Sequence, residues 1–172
     1  MRACGRLINR FVLAAAMAAA VPAIAAELTR SDAEPTTDTT PVLELRRGGE
    51  IRHLSRADLE GAGPLYASEL VSREGMAGRF TGVLLADFVE AFGLGGARRL
   101  RFIAADGYSI FLTPEEIRAK NYLLVTRFQG EPMALANKGP VRLVVPADEQ
   151  AVLEGTKSGA EWIWSIVELH AR

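Results

Sequence analysis

The sequence has 172 residues, of which the first 26 read as an export signal, leaving about 146 for one folded domain. With Arg2, Arg6 and Arg10 set aside, 17 basic side chains face 21 acidic ones, so no basic nucleic-acid footprint exists. Cys4 is the only cysteine and lies in the expected signal, which excludes disulfides, zinc-thiolate sites, iron–sulfur clusters and cysteine nucleophiles from the mature chain.

The signal is read from three features in order. A basic opening precedes an apolar run over 11–21, then Pro22 and the triplet Ala23-Ile24-Ala25 supply small residues for cleavage after Ala25 or Ala26. The apolar run is too short to span a bilayer, so no membrane span is expected after cleavage. No two arginines of the opening are adjacent, which points to export of an unfolded chain and a periplasmic or secreted product. Residues 27–41 are polar and rich in Thr, Asp and Pro, too poor in large apolar groups to order themselves, and read as a flexible polar leader.

The domain then runs over 42–172. Strand-like runs at 42–45 and 51–54 flank Gly48-Gly49, which suggests a hairpin, and Ser55 with Asp58 three residues on predicts a capped short helix. The glycine-punctuated stretch 61–78 carries no clear period. Over 81–93, Leu85, Phe88, Val89 and Phe92 fall at i, i+3, i+4 and i+7, predicting a helix capped by Thr81 and ended by Gly93. Strands at 98–104 and 108–112 flank Asp106-Gly107, a strong hairpin signal. Thr113-Pro114-Glu115-Glu116 then opens a second helix to about Lys120, with a cap, a first-turn proline and two first-turn carboxylates. Further strands are expected at 122–128, 141–145 and 161–170, the last with bulky apolar groups on both faces and so central or barrel-like. Strands outnumber helices, which argues for an α+β domain on a mixed or antiparallel sheet.

Few residues suggest chemistry. His53 and His170 read as surface or packed histidines rather than bases, and no ligand spacing suggests a metal site. The carboxylate pairs Glu115-Glu116 and Asp148-Glu149 are accounted for by a helix start and a solvated loop. Arg127, Lys138 and Lys157 stand near strand ends or in loops, where anion-binding side chains are useful, and the two tryptophans read as core with one open to ligand stacking.

Four segments now stand together: Gly78-Arg79-Phe80-Thr81-Gly82-Val83 running on to Phe88; Arg101-Phe102-Ile103-Ala104-Ala105-Asp106-Gly107-Tyr108-Ser109; Gly130-Glu131-Pro132-Met133 with Lys138-Gly139-Pro140 running on to Pro146; and Trp162-Ile163-Trp164 running on to Leu169. In this order and spacing they resemble the molybdopterin-binding domain of the sulfite oxidase family, especially its small exported single-domain relatives that lack the molybdenum-ligating cysteine. The resemblance covers roughly residues 42–169. It implies a compact α+β fold with a barrel-like mixed sheet and short inserted helices, and a pocket that holds molybdopterin in catalytic members. Those members bind molybdenum through a cysteine, and Cys4 lies outside the domain. The resemblance also implies that those members acquire the cofactor in the cytoplasm and leave it folded, by the twin-arginine route.

The resemblance and its two departures lead to one expectation, an exported domain of this fold without molybdenum chemistry of its own. No cofactor is expected, and the partner is a small anionic ligand or another exported protein. The ligand-binding candidates are Arg79, Asp106, Tyr108, Arg127, Lys138 and Lys157. The alternative is a molybdopterin-dependent oxidoreductase, or an accessory subunit of one, that uses a non-cysteine ligand; it requires Asp106, Tyr108 and Lys157 to converge.

Overall fold

Residues 26–172, which the computed structural model describes, build two sheets that share one apolar core. The expected signal and Cys4 lie outside the described residues, apart from Ala26. In chain order the first elements are strands β1 (Thr29–Arg30), β2 (Pro41–Arg47) and β3 (Glu50–Ser55), helix α1 (Arg56–Glu60), strands β4 (Leu65–Val71) and β5 (Ala77–Leu84), and helix α2 (Leu85–Ala91). Strands β6 (Leu100–Ala104) and β7 (Ser109–Leu112), helix α3 (Pro114–Ala119), strands β8 (Leu123–Phe128), β9 (Glu131–Pro132) and β10 (Arg142–Val144), helix α4 (Glu149–Leu153) and strand β11 (Ile166–Ala171) follow.

One sheet runs β1-β4-β5-β8-β10, with β9 paired to β8, and every pairing in it is antiparallel. The other runs β3-β2-β11-β6-β7 and is mixed, because β11 lies parallel to β2 and antiparallel to β6. Both sheets are open. Each ends in two different edge strands, so the expected barrel is instead a pair of open sheets, with short helices as expected of an α+β fold.

Local signals formed the elements they predict. Gly48 and Gly49 take φ of +55° and +90° in the β2–β3 turn, and Ser55 and Asp58 close a reciprocal capping box on α1. Thr113 and Glu116 do the same on α3. Past the end of α2, the Leu94 amide donates to Val89 (2.8 Å) and the Gly93 amide to Glu90 (3.0 Å), with Gly93 at φ +64°. Those paired bonds are a Schellman ending.

Two expected elements changed. The helix expected over 81–93 starts only at Leu85, because residues up to Leu84 belong to β5, whose Phe80 and Val83 are fully buried on opposite faces of the sheet. Thr81 is therefore a buried strand residue and caps nothing. A Cβ on Gly82 would stand 2.0 Å from the Leu124 carbonyl oxygen, so the close approach of β5 and β8 at their bulge requires glycine. The last strand, expected from 161, begins at Ile166. Trp162 enters one core and Ile163 the other, and Ser165 turns the chain at φ +52°, so the apolar groups on both faces belong to a crossing segment.

The polar stretch 27–41, expected to be a free leader, is strapped along the domain. Strand β1 pairs with the edge strand β4, and Asp38 pairs with Arg56. The main anchor is Glu60, whose side chain is fully buried at the end of α1. Its carboxylate accepts from the Thr36 amide (2.7 Å), the Thr126 hydroxyl (2.6 Å) and Arg127 Nε (2.9 Å), and Arg127 Nη2 reaches both Glu60 and the Glu34 carbonyl. Burial pushes the Glu60 carboxyl up, but the Arg127, Thr126 and Thr36 donors outweigh it and hold it below its ordinary value.

A depressed folded-state pKa stabilises the fold at pH values above the ordinary value of 4.5, and that contribution is lost as pH falls through the depressed one. Denaturant unfolding of Glu60→Gln is expected to show a loss of about 3–5 kcal/mol at neutral pH, since Arg127 is left buried without its charge partner. Between neutral pH and pH about 3 the variant should lose less further stability than the parent chain. Parallel pH profiles for the two proteins would contradict the assignment.

Candidate functional site

The cleft arises from the way the chain covers the second face of the antiparallel sheet. That face presents Leu70, Phe80, Leu123, Val125 and Val144, and the segment after β10 crosses it and buries Val152 and Trp162 against these side chains. The returning run is tied down at Glu161, whose carboxylate accepts from Lys120 (2.7 Å) and the Tyr122 hydroxyl (2.9 Å). Burial, reinforced by that acceptor, pushes the Tyr122 phenol well up, so it stays a proton donor.

Between this run and the β6–β7 turn lies a cleft of about 250 Å³. The turn contributes Asp106 and Tyr108 above Ala104; the run contributes residues 159–160 and 162–164; and Arg73 arrives from the β4–β5 turn. The turn is held by its own bonds. Asp106 Oδ1 accepts the Tyr108 amide (2.9 Å), Gly107 sits at φ +85°, and the Ala105 amide donates to Ser165 (2.8 Å). The Tyr108 hydroxyl donates to the Ala160 carbonyl (3.3 Å), joining the two walls. A side-chain carbon at Gly159 would stand 3.0 Å from both Arg73 Cδ and Val152 Cγ1, so glycine leaves room for the arginine to lie over this wall.

Arg73 is itself set by a buried ion pair. Its neighbour Glu74 lies 2.6 Å from Nη1 of Arg142, which is wholly buried and stacks over Phe80 at 5.2 Å. Burial pulls the Arg142 guanidinium below its ordinary value against the opposing pull of Glu74. The Glu74 carboxyl is pushed up by burial, yet Arg142 holds it net below its ordinary value. With the Ser72 amide donating to Met76 (2.8 Å), this pair fixes the turn that carries Arg73.

The residues singled out from sequence separate into groups. Asp106 and Tyr108 line the cleft. Lys138, at φ +65°, places its ammonium 5.0 Å from the centre of the Trp164 ring and so borders the cleft through that ring. Lys157 donates to Asp148 (2.6 Å) at the surface and Arg127 is held by buried Glu60, so both cations already have carboxylate partners. Arg79 is exposed on β5, 3.9 Å from Glu69, in a separate depression shared with Glu27 and Glu149. Of Asp106, Tyr108 and Lys157, only the first two meet.

The histidine strands do come together, with Glu44 opposite His53 and Glu168 beside Glu44 in register. His170 Nε2 lies 2.8 Å from Glu168, and Arg46 occupies the same face. Among the described residues no group of three or more His, Cys, Asp or Glu side chains converges to hold a metal ion. Arg73 went unread in the sequence. It falls in the stretch without a clear period, and nothing local ties it to residues 86 positions further along.

The tryptophans differ in a measurable way, since Trp162 is 2% exposed and Trp164 half-buried. Acrylamide is expected to quench the emission of Trp162→Phe, which retains Trp164, more strongly than that of Trp164→Phe. Equal quenching would contradict the placement of Trp162 beneath the cleft.

A family model described as oxidoreductase molybdopterin binding domain matches residues 58–166. The matched span runs from within α1 to the start of β11 and contains every residue of the cleft. No curated protein matches the chain.

Proposed function

The chain belongs to the oxidoreductase molybdopterin binding domain family, and from that premise we propose that it is an exported binding module of the family that does not itself run molybdenum chemistry. In this reading the cleft takes a small ligand with a negative group on Arg73. The observation that carries it is the convergence of Tyr108, Trp162 and Trp164 with two charged groups, Arg73 and Asp106, in one concave site. An apolar pocket with few polar groups is the usual form of a small-molecule site.

The donor set of the cleft does not fit the family's metal group. Its lining offers a guanidinium, a carboxylate, a phenol and indoles but no thiolate, the soft ligand such a centre calls for. Its size also argues for a small occupant, since about 250 Å³ lies below the ~300–1,000 Å³ of sites that bury drug-sized ligands. Export rests on the opening of the sequence. Cleavage after Ala25 or Ala26 would remove Cys4 and leave β1 intact.

The test is chemical analysis of the mature protein recovered from the export fraction of its native host. The expected result is an N-terminus at Ala26 or Glu27, substoichiometric molybdenum and no pterin fluorescence after oxidation. Stoichiometric molybdenum together with a pterin would overturn the proposal.

A further inference from the structure

We infer that the ligand of the cleft is a zwitterion: a small molecule carrying both an ammonium and a carboxylate on an apolar body, in the class of the hydrophobic α-amino acids. The inference rests on the reading of the cleft as a binding site and goes beyond it by assigning the ligand's charges.

Two charges of opposite sign, both on exposed side chains, line the same cleft, and neither is used up. Arg73 and Asp106 enter no ion pair among the described residues, with each other or with any other side chain. That sets them apart from Arg127 and Lys157, whose charges are already matched by Glu60 and Asp148. Asp106 spends Oδ1 on the Tyr108 amide, and Oδ2 has no hydrogen-bond partner among the described residues. Both charges are borne by exposed side chains on turns whose backbones are tightly held, so the turns, though not the guanidinium itself, are placed before any ligand arrives.

Electrostatics then selects among ligand classes. A simple anion satisfies Arg73 but meets the Asp106 carboxylate, and a simple cation meets the reverse conflict; like charges brought together at an interface cost several kcal/mol. A molecule bearing both charges avoids both conflicts. The aromatic lining favours the ammonium near the Tyr108 ring, because the Trp164 ring already has the Lys138 ammonium at 5.0 Å. Ala104, Ile163 and Trp162, each nearly fully buried, line the same cleft and give it an apolar floor.

The experiment is calorimetric titration of the mature protein with L-leucine and L-phenylalanine beside single-charge analogues. The analogues are N-acetyl-L-phenylalanine and 3-phenylpropionate, which lack the ammonium, and L-phenylalaninamide, which lacks the carboxylate; inorganic phosphate serves as a small anion. The expected result is binding of an amino acid, with each single-charge analogue weaker by about tenfold or more. Asp106→Asn should erase the preference over the N-acetyl form, and Arg73→Gln the preference over the amide, with circular dichroism of both variants unchanged. Binding of the anionic analogues or phosphate as tight as that of the amino acids would overturn the inference while leaving the cleft as a site. Amino-acid binding indifferent to both substitutions would place the site elsewhere and overturn it too. Binding of no probe would overturn the inference together with the reading of the cleft on which it rests.

Discussion

The antiparallel sheet must be covered on both faces, and most of the architecture answers to that constraint. Along β8 the side chains alternate, with Leu124 facing the core shared with the mixed sheet and Leu123 and Val125 facing the other way. Left open, that second face would expose Phe80 and its neighbours to water. The segment between β10 and β11 closes it, chiefly with Trp162. Burying an indole removes on the order of 150–250 Å² from water, about 4–6 kcal/mol of gross hydrophobic stabilisation at ~25 cal/mol per Å². Having crossed one sheet, the chain must return to enter the other as the central strand β11. The cleft lies where that return passes the β6–β7 turn.

Charge is distributed according to the same geometry. The deeply placed ions are paired, Glu60 with Arg127 and Arg142 with Glu74, because an unpaired ion at such depth costs several kcal/mol. Each pair ties down a stretch without regular secondary structure. Glu60 and Arg127 fasten residues 34–36, and Arg142 fastens the β4–β5 turn. What remains free of such duties at the cleft is one guanidinium and one carboxylate. The functional reading therefore follows from which charges the fold does not need.

Elements specified by neighbouring residues could be read from the sequence. The β2–β3 and β6–β7 hairpins, the capping boxes at Ser55 and Thr113 and the Gly93 helix ending each depend on contacts within a few positions. Elements decided by distant partners could not. Thr81 has the chemistry of a cap, but pairing of β5 between β4 and β8 claims it for a strand. Residues 161–165 read as the start of a strand that is apolar on both faces, but that pattern reports passage between two cores. The polar stretch before β2 lacks the apolar content to order itself and is ordered by Glu60, a residue 24 positions from Thr36. The same division holds at the site. Asp106 and Tyr108 stood out because a turn displays them, whereas the duties of Arg127 and Lys157 and the arrival of Arg73 depend on three-dimensional neighbours.

Family membership supplies the fold's ancestry and the cleft supplies the local chemistry, which in this chain is that of aromatic surface between opposite charges. The central claim is that ligand binds there. Nuclear magnetic resonance of ¹⁵N-labelled mature protein titrated with L-phenylalanine tests it most directly. The account predicts shifts of the Trp164 indole and of the amides of residues 73, 104–108 and 159–164, with the amides around Glu60 and Arg79 unmoved. Shifts confined to another surface, such as the arginine-lined end formed by Arg46, Arg47 and Arg172, would contradict it.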